Sequence, residues 1–280
     1  MKKLLSILAV FLVLFYSCDI VQKPYLEQSG QCGHDNLSVP IKKILVEDYT
    51  GFKCGNCPEA HEILQGLINN YCDHIVAVSL HVGYFARPSV SPPYNIDFRT
   101  EAGEEYNEYF GAEAAGLPVG MVDRTEFNGS RLLNANAWAD AIVSELEKPL
   151  LLDVEVHNTF NDTTRKVNIQ VDVAALQDLS ANLYLSVWVV EDSIIGPQKD
   201  YRLSPPDILH YVHRHVFRGA VNGTWGDQIV NGEFQKGSVL SFHFSTTLDT
   251  AWNADHCHIV AFVYKYDDKS VLQADDEKVK

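Results

Sequence analysis

A mixed α/β layer unit followed by an all-β unit is the fold class predicted for this 280-residue chain. Three observations predict it. Between residues 41 and 149, short apolar runs alternate with stretches of helical period, as buried parallel strands joined by helices require. After Pro149 the period switches to two and stays there, as in antiparallel strands with one face buried. The length also exceeds the roughly 100 to 200 residues of a usual single domain.

Residues 1–18, MKKLLSILAVFLVLFYSC, combine a basic start at Lys2 and Lys3 with an apolar run from Leu4 to Phe15 broken only by Ser6. A membrane span needs about 20 apolar residues, so this shorter run reads as a secretory signal. Ser17 directly before Cys18 resembles a relaxed bacterial lipoprotein box, with Cys18 as the lipidated first residue of the mature chain. An ordinary cleaved signal with an incidental cysteine is the alternative. Each buried acyl CH₂ contributes about 0.8 kcal/mol, so two or more chains on Cys18 would tether the protein stably. Residues 19–40 lack a sustained period and read as the tether between lipid and first folded unit.

The α/β unit spans 41–149. IKKILVEDY reads as a buried strand, and after two cysteines Pro58 suits the first turn of a helix with Ile63, Leu64, Leu67 and Ile68 on one face. HIVAVSLHV is a second buried strand. Three prolines in FARPSVSPPYNIDF mark a loop, a candidate lid over the cysteines. RTEAGEEYNEYF is an amphipathic helix and GLPVGMVDR a third strand. NANAWADAIVSELEK closes the unit as a helix with Trp138, Ile142, Val143 and Leu146 inward.

The all-β unit spans 150–280. LLDVEVHNTF and RKVNIQVDV flank the turn-rich NDTT as a hairpin. NLYLSVWVVED, YVHRHVFRG, VLSFHFSTTL and HIVAFVYKYD continue the alternation, with KSVLQADD as a last edge strand. Seven short strands without a helix fit an antiparallel β-sandwich of immunoglobulin-like size.

Lys and Arg number 22 against 37 Asp and Glu, a formal charge of −15. Without Lys2 and Lys3 the balance is 20 against 37, or −17. Such a surface repels nucleic-acid phosphates, which excludes nucleic acid as a partner. Export would place the chain where disulfides persist. Setting aside Cys18 leaves Cys32, Cys54, Cys57, Cys72 and Cys257, an odd set in which Cys54 and Cys57 are the obvious pair. The pairing of Cys32, Cys72 and Cys257 does not follow from spacing.

Cys54-Gly55-Asn56-Cys57 lies between a buried strand and the first turn of a helix. Unsatisfied backbone N–H groups and the positive helix end stabilise a thiolate there, lowering a thiol pKa from about 8.5 into a range of about 3.5 to 7.5. Lys53 acts in the same direction, and the two-residue spacer lets the sulfurs cycle between dithiol and disulfide. Residues 41–149 therefore resemble the thioredoxin superfamily. Asp48, six residues before Cys54, matches the buried carboxylate that assists proton transfer from the second cysteine. Pro118 in GLPVGMVDR matches the superfamily's cis-proline loop. The resemblance implies a nucleophilic Cys54, a resolving Cys57, and a substrate backbone held at Leu117 and Pro118. Tyr84 and Phe85 in and beside the Pro-rich loop are candidates to line a peptide groove. The sequence departs from the superfamily pattern at Lys53, where tryptophan is usual, and in the Gly-Asn dipeptide. Glu47 beside Asp48 leaves two candidate proton carriers, and the strand expected to partner VGMVDR is shortened to TEFNG.

Rival chemistry is limited. Zinc would need a second cysteine pair. His213 and His215 on one strand and His256 and His258 on another could converge on a metal. However, Cys257, Ile259, Ala261 and Val263 as a core face would leave the last two histidines in solvent. No metal and no other cofactor is expected. The mature chain as a whole resembles the outer membrane protein 28 family of bacterial lipoproteins, through VEDYTGFKCGNCP, GLPVGMVDR and YVHRHVFRGAVNGTWG. That resemblance implies outer-membrane attachment through Cys18, facing the periplasm or the cell surface, and a thioredoxin-like domain followed by a β-sandwich. Two functions remain: thiol–disulfide exchange on exported proteins, or a surface binding and adhesion lipoprotein whose disulfide is purely structural. Exchange requires a Cys54 sulfur that another chain can reach.

Overall fold

The computed structural model describes residues 39–280. The expected signal, Cys18, nearly all of the tether and Cys32 lie outside the described residues. The fold is mixed α/β with mostly β content in open sheets.

The first buried run forms β1 (Ile44–Thr50), followed by α1 (Cys57–Tyr71) and β2 (Ile75–His81), which pairs with β1 in parallel. The short α2 (Gly83–Ala86) leads into the Pro-rich loop. Helix α3 (Glu101–Phe110) begins where the Thr100 hydroxyl accepts a hydrogen bond from the Gly103 N–H, and ends at Gly111, whose φ of 75° permits the left-handed cap. A further turn, α4 (Ala112–Ala115), precedes β3 (Val119–Val122), which lies antiparallel to β1. Helix α5 (Trp138–Leu146) closes this half. Its stripe differs from expectation in one place: Trp138 and Ile142 are buried but Val143 is 43% exposed. The partner of β3 also differs, since Gly120 bridges to Leu133 while Phe127 of TEFNG bridges to Ser130 just beyond it.

Ten strands follow: β4 (Leu152–Asn161), β5 (Lys166–Ala175), β6 (Leu179–Glu191), β7 (Ile194–Lys199), β8 (Asp207–His213), β9 (Val216–Ala220), β10 (Asp227–Phe234), β11 (Val239–Thr247), β12 (Cys257–Lys265) and β13 (Val271–Lys278). The run YVHRHVFRG, expected as one strand, is broken between β8 and β9 at Arg214 and His215, where His215 has a φ of 55°. His213 and His215 therefore do not share a strand face. Strands β7 and β10 were not expected; Pro197 interrupts the first and the turn-rich NGTWG precedes the second.

One sheet in the order β13-β12-β6-β9-β2-β1-β3, with β10 also on β6, carries strands from both sides of residue 149. The second sheet is β11-β5-β4, and β7 with β8 forms a separate two-stranded hairpin. Alternation explains how one sheet serves two cores. Leu183, Leu185 and Val187 of β6, with Cys257, Ile259, Ala261 and Val263 of β12, face the β4–β5–β11 sheet. Trp188 and Val190, with Val260, Phe262 and Tyr264, face the opposite way and pack with Leu45, Tyr49, Val76, Val78 and Leu80 of the first half. The boundary expected at 149/150 is thus a change of sequence texture within a shared sheet. A third core lies where Ile44, Val46 and Ala77 meet Leu64 and Leu67 of α1 and Trp138 and Ile142 of α5.

Candidate functional site

The cysteines sit where β1 hands over to α1. Past Gly51 the chain turns so that the Cys54 N–H donates to the Gly51 carbonyl at 2.9 Å, and α1 opens at Cys57 with Pro58 in its first turn. Cys54 and Cys57 are joined in a disulfide with Cα atoms 5.4 Å apart. Cys57 is fully buried and Cys54 is only 3% exposed.

The tip of the β7–β8 hairpin lies along the cysteine loop. The Lys199 N–H donates to the Phe52 carbonyl and the Tyr201 N–H to the Gly55 carbonyl, each at 2.9 Å. Gln198 Nε2 donates to the Cys54 carbonyl at 2.9 Å. The Tyr201 ring lies against Gly55, where a Cβ would fall 2.4 Å from it. Arg202 completes the contact, donating to both carboxylate oxygens of Glu62 on α1 at 2.8 and 2.7 Å. The Pro-rich segment packs alongside instead: the Phe52 ring stacks on Tyr94 and meets Phe98 edge-on, and the Lys53 N–H donates to the Phe85 carbonyl. Tyr84 is 64% exposed, with the Lys53 ammonium 5.4 Å from its ring centroid.

The Leu117–Pro118 peptide is cis. Leu117 packs partly buried against the core shared by the two halves. Pro118 lines a cavity of about 520 Å³ together with Asn56 of the cysteine loop, Glu59, Ala60 and Ile63 of α1, and Phe127. Neither Tyr84 nor Phe85 lines it.

Strand alternation separates the two candidate proton carriers. Glu47 shares a face of β1 with Leu45 and Tyr49, and there accepts two hydrogen bonds, at 2.7 and 2.9 Å, from the fully buried Arg124. Asp48 points to the other face, toward α1, where its Oδ2 lies 3.3 Å from His61 Nε2. It is fully buried, and neither oxygen has a well-aligned hydrogen bond. Burial pushes its carboxyl up to about 7, partly opposed by the Ser79 hydroxyl. His61 also contacts the Thr50 hydroxyl through Nε2 at 2.9 Å and the Tyr211 hydroxyl through Nδ1 at 2.8 Å, and burial lowers its pKa to about 3. Near pH 7 His61 is therefore neutral while Asp48 is divided between carboxyl and carboxylate, so the two do not form an ion pair.

His61 borders a second cavity of about 370 Å³ with Ser79, His81, Tyr211, His213 and His215. Burial holds His213 down at about 4 and lowers His81 and His215 as well. Apart from the Ser79 backbone beside His81, the His81 nitrogens, His213 Nδ1 and His215 Nε2 have no well-aligned partner. Among the described residues no three His, Cys, Asp or Glu side chains come together as a metal-binding set. With their pKa values pushed down by burial, these imidazoles are neutral at pH 7, and Asp48 adjoins the cavity only through His61. The histidine cluster that forms is thus a different one from the set of four that the sequence raised as a rival. His256 and His258 lie apart from this cavity, and His61 and His81 take their place.

Sequence reasoning missed Gln198, Tyr201 and Arg202. They lie more than 140 residues beyond the cysteines, and no local motif links them. His61 had a signal, being one helical turn beyond Cys57 on the face that meets β1.

A family model of the outer membrane protein Omp28 matches residues 103–280, more than half of the chain. The chain belongs to the Omp28 family. The matched span includes Pro118 and the hairpin and stops short of Cys54 and Cys57. No curated protein matches the chain. Among solved structures, protein AGR_C_4864 from Agrobacterium tumefaciens is 15% identical, covering 85% of this chain and 95% of that one with a TM-score of 0.50. That likeness bears on fold alone. A domain of the outer membrane lipoprotein Omp28 from Porphyromonas gingivalis is 20% identical over 48% of this chain and 91% of its own, with a TM-score of 0.33.

Proposed function

We propose that this Omp28-family protein is a thiol–disulfide exchange protein of the cell envelope, tethered to the outer membrane through a lipid on Cys18. In this reading residues 41–149 form a thioredoxin-like half, and the sheets built on β6 and β5 form an immunoglobulin-like sandwich behind it. Support for the first half comes from the parallel β1–α1–β2 unit, an antiparallel β3 that follows Pro118, and a disulfide at the start of α1. The observation that carries the reading is Asp48. A carboxyl buried without a well-aligned hydrogen bond, on the face of β1 that meets the cysteine-bearing helix, is costly and has no use in a structural staple.

In the reduced protein, Cys54 as thiolate attacks one sulfur of a partner disulfide, and the partner's other sulfur leaves as a thiolate and takes up a proton. Cys57 then gives its proton to Asp48 and attacks the Cys54 sulfur, releasing the partner's second thiolate, which is protonated in turn. Two electrons pass to the partner and the Cys54–Cys57 disulfide remains. Pro118 and the cavity it lines with Asn56 hold the partner's backbone. Run backwards, the same steps oxidise a partner dithiol.

One observation favours the second reading, a binding lipoprotein with a structural disulfide: Cys54 is nearly sealed. The test uses the mature protein in its Cys57→Ser form. Alkylation of Cys54 followed against pH should report a thiol more acidic than an ordinary one near 8.5. The same variant should trap envelope proteins as mixed disulfides. A Cys54 of ordinary or raised pKa that traps nothing supports the staple instead.

A further inference from the structure

The hairpin segment that lies along the cysteine loop contacts its backbone as a bound peptide would. Lys199 and Tyr201 donate their N–H groups to the cysteine loop, and the Asp200 N–H between them points the other way, to the Pro206 carbonyl at 2.7 Å. The backbone is extended as far as Lys199 and then enters a turn closed by the Leu203 N–H on the Asp200 carbonyl at 3.1 Å, so Tyr201 meets the cysteine loop from the first corner of that turn. The edge is short and consists of the Phe52 and Gly55 carbonyls, with the Cys54 carbonyl taken by the Gln198 side chain. Gly55 leaves room for one planar ring, which Tyr201 fills.

The tip of the hairpin is exposed, whereas its arms are pinned. Tyr201 and Leu203 at the tip remain 61% and 50% exposed, while Gln198 and His213 are buried, Tyr211 meets His61 at 2.8 Å and the Tyr94 hydroxyl donates to Asp207 at 2.6 Å. The Arg202–Glu62 pair is at the surface, where ion pairs contribute little. Local opening of the tip alone is available without unfolding the cores.

We propose that residues 198–202 are an intramolecular stand-in for the protein substrate. The Phe52–Gly55 edge takes a polypeptide that ends an extended run in a turn, presents two N–H groups two residues apart and lays an aromatic side chain on Gly55. Such a partner must displace the hairpin tip to reach Cys54, so docking and exposure of the sulfur are one event. The proposal rests on the exchange reading and names its substrate class: strand-to-turn segments of exported chains that carry an aromatic residue at the first corner of the turn.

The mature protein and its Tyr201→Ala and Arg202→Ala variants provide the test. Reduction of the Cys54–Cys57 disulfide by dithiothreitol at pH 7, read by alkylation and mass spectrometry, should be at least tenfold faster in Tyr201→Ala and faster by a smaller factor in Arg202→Ala. The synthetic peptide GPQKDYRL, residues 196–203, should bind Tyr201→Ala and slow its reduction again, and the same peptide with alanine for tyrosine should not. Hydrogen exchange should show lost protection at Lys199 and Tyr201 only. An unchanged reduction rate, no peptide binding, or lost protection spreading to β12 each overturns the proposal. Disulfide turnover on a protein substrate, unaffected by Tyr201→Ala or by the peptide, would leave the exchange reading standing and this proposal refuted. Peptide capture without any turnover would leave the docking edge standing and refute exchange.

Discussion

Burial of Asp48 couples its proton to stability, and the direction is the reverse of the usual carboxylate. Its folded pKa of about 7 lies above the ordinary 3.8, so the folded state holds the proton more tightly than the unfolded chain. The associated stability is complete below about pH 4 and is lost as pH rises to 7. A shift of roughly three units at about 1.4 kcal/mol each sets an upper bound near 4 kcal/mol. The buried histidines act oppositely. His61, at about 3, and His213, at about 4, lie below 6.5, so their contribution is present above pH 6.5 and fades as the medium acidifies. Comparing Asp48→Asn with the parent isolates the carboxyl. Urea denaturation at pH 8 should find the variant more stable by one to a few kcal/mol, within that upper bound of about 4 kcal/mol, and at pH 4 the two should agree. Equal stability at pH 8 would mean that the fold does not raise the Asp48 pKa. At this scale the sequence was most legible where the information is local. Cys54 and Cys57 stand out by spacing, and Asp48 and Pro118 through the family resemblance of the segments that carry them, whereas only the alternation of β1 in the folded sheet decides which of Glu47 and Asp48 meets α1.

Helix α1 and the hairpin over its start show where local patterns suffice and where they do not. Pro58, Leu64 and Leu67 announce the helix by position and period, because every feature they need lies within two turns. The hairpin is nearly invisible in GPQKDYRLSPP, since its contacts are with residues far upstream and its prolines discourage a strand assignment. Two glycines of the first half separate helix propensity from the hairpin contact. A Cβ at Gly66, inside α1, meets nothing within 4 Å, so Gly66→Ala should stabilise the protein by about 0.5–1 kcal/mol in urea denaturation. A Cβ at Gly55 would meet the Tyr201 ring, so Gly55→Ala should lift the hairpin and speed reduction of the disulfide by dithiothreitol, an effect Gly66→Ala should lack.

The two sequence textures on either side of residue 149 read as two bodies because each half has its own period. SVWVV and HIVAFVY were legible as strands, yet their unbroken apolar character has a second meaning: β6 and β12 are buried on both faces, one against each half. Arg124 lies at the heart of that shared core. It is fully buried, bonded to Glu47, and within 5.8 Å of the ring centroids of Tyr106, Phe110, Trp188, Phe262 and Tyr264, which come from both halves. Burial works against its charge, and Glu47 more than offsets this, raising its pKa. Removing one partner of such a pair leaves an uncompensated buried charge, which costs about 3–5 kcal/mol, whereas replacing both with apolar groups of similar volume is often nearly neutral. Glu47→Gln should therefore lower the denaturation midpoint sharply, and Glu47→Leu with Arg124→Met should recover most of the loss. Because the guanidinium touches both halves, the single variant should shift one cooperative transition, seen alike in far-ultraviolet circular dichroism and in tryptophan fluorescence from Trp138 and Trp188. Two separated transitions, with only the first half moved by Glu47→Gln, would show that the shared sheet does not couple them.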